Sequence, residues 1–252
     1  MNLEGAALVL VPLAIAVVAA LYASVGHGGA SGYLAVLSLL AFPAAVMKPT
    51  ALVLNLFVAA ISGIAYARAG HFRWRLLCPF AVTSVPAAFL GGAIQVPEKV
   101  YGAALAFALV VAASRLAWRS GAAIDETEPR IPSLAVTLPI GAALGFLAGL
   151  VGVGGGIFLS PLLLLLGWAT PKKTAAVSAA FIWVNSAAGL VGHLTRSPLP
   201  VEDLPILLLP ALAGGFVGGR LGARRLTGLA LRRLLALVLL LAAGKIVLRL
   251  LG

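Results

Sequence analysis

Two sets of five apolar segments, one on each side of a polar stretch from Ser120 to Arg130, leave this chain few choices of fold. The first set covers about residues 5–25, 30–42, 48–67, 76–94 and 99–118; the second covers 133–151, 157–168, 174–194, 203–222 and 229–250. Apolar residues make up 62% of the 252 and charged residues 10%, with a mean hydropathy of +1.12. A soluble domain carries about half apolar and a quarter charged residues, so most of this surface must face hydrocarbon. A backbone in lipid satisfies its polar groups internally, and the expectation is an all-α, polytopic membrane bundle.

The chain also repeats itself. At an offset of 126 residues, Val25-Gly26-His27-Gly28-Gly29-Ala30 lies over Val151-Gly152-Val153-Gly154-Gly155-Gly156, and Ser62-Gly63-Ile64 lies over Ala188-Gly189-Leu190. A slip of two residues brings Pro86 to Gly91 onto Pro210 to Gly215. The expected organisation is an N-terminal repeat over 1–119, a linker over 120–131 holding Asp125, Glu126 and Glu128, and a C-terminal repeat over 132–252. Residues 1–25 lack a basic start and read as mature protein rather than as a cleaved signal.

Segment length sets the path through the bilayer. The 13 residues from Ala30 to Phe42 reach about 20 Å as a helix, short of a hydrocarbon layer about 30 Å thick. The segments before each glycine cluster carry Pro12 and Pro139, expected to interrupt them. Each half then reads as a glycine-tipped helical hairpin, re-entrant or spanning, followed by three full crossings. Either way the hairpin returns to its starting side, so the second half is inverted relative to the first. This topology puts 13 of the 18 Lys and Arg on one side, among them Arg68, Arg73, Arg75, Lys172, Lys173, Arg220, Arg224 and Arg225. Lys48, Lys99, Arg196, Lys245 and Arg249 fall on the other. The cation-rich side is expected to be cytoplasmic, with the linker inside and both termini outside. That distribution also explains the net charge of +11 without nucleic acid as a partner.

Consecutive glycines end a helix, take positive φ and expose backbone N–H groups. Gly152, Gly154, Gly155 and Gly156 lead directly into a helix expected to start near Ile157, and its dipole favours an anion. With Gly26, His27, Gly28 and Gly29 entering from the opposite face, two helix N-termini are expected to converge near the midplane. Ser24, Ser31 and Asn55 in the first half and Ser160, Ser178 and Asn185 in the second are polar candidates to complete the site, against the alternative of bonds within their own helices. His27 either donates to an anion, titrates near neutral pH, or bonds a carbonyl. Gly141, Gly145 and Gly149, four apart, read as a helix-packing face. His71 reads as a solvated loop residue, His193 as interfacial, and the single Cys78 as a small core residue.

Gly149-Leu150-Val151-Gly152-Val153-Gly154-Gly155-Gly156 with Pro161 after it, together with its first-half copy, resembles the motif pair of the sulfite exporter (TauE/SafE) family, also called toluenesulfonate uptake permeases. The resemblance covers essentially the whole chain. It implies an inner-membrane transporter of sulfite, sulfonates or other small sulfur-containing anions. The first copy carries His27 and Ala30 where the second has Val153 and Gly156, so the two tips are chemically unequal.

Of the seven acids, Glu4, Glu98, Asp125, Glu126, Glu128 and Glu202 fall outside the expected spans and Asp203 is only the first residue of one, so no carboxylate relay crosses the membrane. For a monovalent anion leaving a cell that is negative inside, the potential supplies about 2.3 kcal/mol per 100 mV. The leading expectation is export of a small sulfur-containing anion with no coupling ion. The alternative is proton-coupled uptake of an organosulfonate or related organic anion with His27 titrating. An enzyme is disfavoured, since neither metal-ligand spacing nor a Ser-His-Asp set is found. An assembly subunit would bury its glycine tips without a cavity. The expected partners are the anion and the lipid bilayer, with a homodimer left open and no cofactor.

Overall fold

A computed structural model describes residues 7–39, 44–94, 110, 132–196, 198–199 and 204–251. In the first half the helices are α1 (Ala7–Ala23), α2 (Ala30–Leu39), α3 (Ala44–Arg68) and α4 (Trp74–Ala93). In the second they are α5 (Leu134–Val151), α6 (Gly156–Leu165), α7 (Pro171–Leu194), α8 (Leu204–Arg224) and α9 (Gly228–Leu251). The apolar segment at 99–118, Val110 apart, and the polar linker at 120–131 lie outside the described residues.

Among the described residues five helices, α3, α4, α5, α7 and α8, are long and apolar enough to cross a membrane. By contrast α2 and α6 have 10 residues each, about 15 Å of rise and half the hydrocarbon thickness. The short second segment of each half is therefore a short helix preceded by a glycine turn. One expectation needs correction: Pro12 and Pro139 do not interrupt the arms that carry them, since α1 and α5 run through both. Thr83 Oγ1 of α4 donates to the Leu138 carbonyl at 2.7 Å and ties the two helices, whereas the carbonyl that Pro139 deprives of a helical donor is that of Ala135, one turn back. With 18 residues, α5 reaches about 27 Å.

Helices α3 and α7 pack on each other at the centre, α1 lies along α8, and α4 lies along α5. The most extensive helix contacts among the described residues correspond under exchange of the two halves. Pairing α1 to α4 with α5 to α8 turns α1·α8 into α5·α4, α3·α8 into α7·α4 and α2·α3 into α6·α7, all of which occur. The central pair is the most enclosed, with 67% of the apolar window of α7 and 56% of that of α3 buried, against 28% for α5. Val9, Leu13, Trp74, Val82 and Leu209 project outward, where lipid tails would meet them.

Glycine stripes bring the outer helices into backbone contact. A Cβ on Gly141, Gly145 or Gly149 of α5 would strike the carbonyls of Phe80, Ser84 and Ala88 on α4. The counterpart stripe on α8, Gly214, Gly218 and Gly222, meets the carbonyls of Ala16, Ala20 and Ser24. Small residues at this spacing let helices approach without side chains between them, the usual route to affinity where lipid removes the hydrophobic drive.

Candidate functional site

Both tips are built by glycines in the left-handed region. Gly26 (φ 77) and Gly29 (φ 97) carry the chain from α1 into α2; Gly152 (φ 77), Gly154 (φ 73) and Gly155 (φ 78) carry it from α5 into α6. Any L side chain is strained there. The turn leaves α6 starting at Gly156, one residue before the expected Ile157.

The first tip is tied down from the side. Ser62 Oγ donates to the Ala23 carbonyl at 2.8 Å, which also accepts from Gly26 N, and Tyr66 OH donates to the Ser24 carbonyl at 2.5 Å, so α3 braces the end of α1 and satisfies the carbonyl just past it. Tyr33 OH donates to the Gly28 carbonyl at 2.7 Å. The Ala30 N–H donates to Asn55 Oδ1 at 3.1 Å, which caps α2 from a different helix.

The second tip is less satisfied. Gly152 N and Val153 N both donate to the Ala148 carbonyl. The N-cap position of α6 is Gly155, which offers no side chain. The amides of Gly154, Gly155 and Gly156, all in buried residues, find no acceptor among the described residues.

Asn55 stands between the tips. Its Oδ1 lies where a Cβ on Gly28 would project, and its Nδ2, with Ser186 Oγ, lies where a Cβ on Gly154 would project. Asn55 Nδ2 also donates to Ser186 Oγ at 2.7 Å. His27 crosses to the other half as well. Its Nδ1 is 3.1 Å from the Val25 carbonyl and its Nε2 is 3.3 Å from Ser160 Oγ. A carbonyl only accepts, so Nδ1 carries a proton. Ser160 and Ser178 hydroxyls are 2.7 Å apart, and His27, Ser160 and Ser178 form one buried chain.

Thus His27 meets Ser160 and Asn55 joins Gly28 to Gly154, while Gly26 abuts Ala175, Gly29 abuts Tyr33 of its own tip, Gly155 abuts Ala148 and Phe181, Gly156 abuts Ile182, and Gly152 lies against the side chain of Lys48. Ser31 is turned toward Tyr22, whose hydroxyl is 2.9 Å from its Oγ. Asn185 donates to the Phe181 carbonyl of its own helix at 2.8 Å, and its buried Oδ1 has no partner. Sequence reasoning missed Ser186. Its signal was helical spacing, because Ser178, Ile182 and Ser186 fall four apart on one face of α7. Tyr33, Ser62 and Tyr66, which brace the first tip, were missed for want of any local pattern. Among the described residues no cluster of three His, Cys, Asp or Glu side chains suits a metal ion.

Comparison with known proteins points one way. The family model for Sulfite exporter TauE/SafE matches residues 11–246. The chain is 40% identical to the probable membrane transporter protein y4hK of Sinorhizobium fredii over 93% of its own length and 96% of that protein's. It is 37% identical to the probable membrane transporter protein YunE of Bacillus subtilis over 39% of this chain and 36% of that one. A probable membrane transporter protein of Methanocaldococcus jannaschii is 26% identical over 63% of each chain. No solved structure matches.

Proposed function

The chain belongs to the sulfite exporter TauE/SafE family and is a multi-pass membrane transporter, and we propose that it carries sulfite, a sulfonate or another small sulfur-containing anion out of the cell, binding it between the two glycine tips. One observation carries the reading: the amides of three consecutive buried residues, Gly154 to Gly156, lead into α6 with no acceptor among the described residues. Buried N–H groups in that condition are rare and cost about 1–3 kcal/mol each. An anion supplies the acceptor, and the positive end of the α6 dipole adds to its attraction. The tips are packed against Asn55, Ser186 and Ile182, the close packing that an assembly subunit would share. Family membership decides for transport, so this conformation is the closed one and the anion is admitted when the tips separate.

In this reading the two halves are inverted repeats in the inner membrane, with the linker cytoplasmic and both termini outside. The exchange symmetry of the helix contacts supports the repeat, and the one-sided distribution of Lys and Arg supports the orientation. Export then runs down the membrane potential without a coupling ion.

A second reading, proton-coupled uptake of an organosulfonate, draws on the His27, Ser160 and Ser178 chain, which links an ionisable ring of one tip to hydroxyls of the other half. Sulfite flux in proteoliposomes separates the two. For export, flux follows an imposed potential and needs no pH gradient. An absolute requirement for a proton gradient, lost in His27→Ala, replaces export with uptake. No flux of sulfite or sulfonates under any gradient removes both.

A further inference from the structure

A small cleft lies between the first tip and the start of α7, outside the site described above. Val25, Leu164, Thr174, Ala175, Leu231 and Leu235 are among its walls. Thr174 brings the hydroxyl. The residue is 1% exposed and its Oγ1 has no hydrogen-bond partner, an exception at such burial that calls for a water, ion or ligand. A helical threonine commonly bonds a carbonyl one turn back, and this one does not. As it stands, the cleft has room for about one water molecule.

Its position connects it to the tips. Thr174 and Ser178 are four apart on α7 and share a face. Ser178 continues through Ser160 to His27 Nε2 by contacts of 2.7 and 3.3 Å. A Cβ on Gly26 would strike the backbone of Ala175, so the first tip abuts the cleft wall. Lys172 and Lys173 occupy the first turn of α7, where the helix dipole disfavours cations. They belong to the side rich in Lys and Arg.

We infer that this cleft is the cytoplasmic entrance of the transport path and holds a second anion position, at which Thr174 Oγ1 donates to a sulfite or sulfonate oxygen before the anion reaches His27 and the glycine tips. This rests on the transport reading above and extends it. Leu231 and Leu235 of α9 are the apolar cover that moves aside when the entrance opens.

Thiol chemistry and flux test it together. Cys78, the chain's single cysteine, is exposed on α4 rather than in the core as expected, so Cys78→Ser removes a reactive thiol and provides a thiol-free background for Thr174→Cys. A charged, membrane-impermeant maleimide is applied to either face of oriented vesicles. The expected result is labelling from the cytoplasmic face; labelling from the outer face, or from neither, overturns the inference. In proteoliposomes, Thr174→Ser keeps sulfite flux near that of the unaltered protein, while Thr174→Val loses about tenfold, the weight of one hydrogen bond to a charged group. Equal flux in the valine variant, or equal loss in both, overturns the role of the hydroxyl. Absence of flux in the unaltered protein refutes the transport reading itself, and the labelling pattern still decides whether the cleft opens to the cytoplasm.

Discussion

Asn55 of α3 donates to Ser186 of α7 at 2.7 Å, a side-chain bond between residues 131 positions apart. The same amide accepts from Ala30 N at 3.1 Å, so one residue joins the central helix pair and caps the short helix of the first tip. Asn55→Ala strands a buried Ala30 N–H and removes the cross-helix tie, at about 2–3 kcal/mol, and Ser186→Ala costs about 1 kcal/mol. Thermal unfolding in detergent measures both. In the Asn55→Ala background, Ser186→Ala is expected to add almost nothing, because the bond it would break is already gone.

Gly154 and Gly63 make opposite demands on the same substitution. At Gly154 an alanine must hold φ 73 and place its Cβ against Ser186 Oγ and Asn55 Nδ2. The backbone alone costs about 1–2 kcal/mol, so Gly154→Ala lowers both the melting temperature and flux. At Gly63, inside α3, the nearest atom to a new Cβ is that of Ala179 at 3.5 Å, an ordinary contact. Gly63→Ala is neutral or stabilising by up to about 1 kcal/mol through helix propensity. A matched pair of melting curves checks the contrast.

Backbone contact between α4 and α5 makes Gly145 intolerant of size. A Cβ there meets the Ser84 backbone, and its counterpart Gly218 of α8 meets Ala20 in the same way. Gly145→Val and Gly218→Val each push a helix pair apart, at about 1–3 kcal/mol. Reduced yield of monodisperse protein and a lower melting temperature are expected for both. Normal stability in either variant would contradict the close packing.

His71 introduces a pH dependence at the loop end of α3. Burial, followed by the charge of Lys172, lowers its pKa from the ordinary 6.5; Arg73 and Lys173 act in the same direction and a bond with the Ala223 backbone opposes them. As pH falls past 6.5, the unfolded chain takes up a proton before the folded one does. Stability from this group is therefore complete above about pH 6.5 and is lost as pH falls through the lower folded value. Melting temperatures between pH 8 and pH 5 should show that decline, and His71→Gln should reduce its slope.

Much of the fold is legible in local composition. Apolar runs mark the helices because lipid selects for them residue by residue, and consecutive glycines mark the tips because they alone accept three left-handed positions in four residues. Gly141, Gly145 and Gly149 read as a packing face and are one. The same local logic misplaced the ends of the first arms. Pro12 and Pro139 are helix breakers by propensity, yet α1 and α5 continue through them.

The amino-acid order by itself determined which stretches form apolar helices, where the chain turns on glycine, and that motifs of its first half recur in its second, since hydropathy and backbone freedom act over a few neighbouring residues. Only the tertiary structure decided that Asn55 touches both tips, that Ser186 rather than Asn185 answers it, and that Tyr66 and Ser62 hold the end of α1. Those partners lie tens of residues apart. Their meeting depends on how closely glycine stripes let whole helices approach, a distance that no local stretch of sequence encodes.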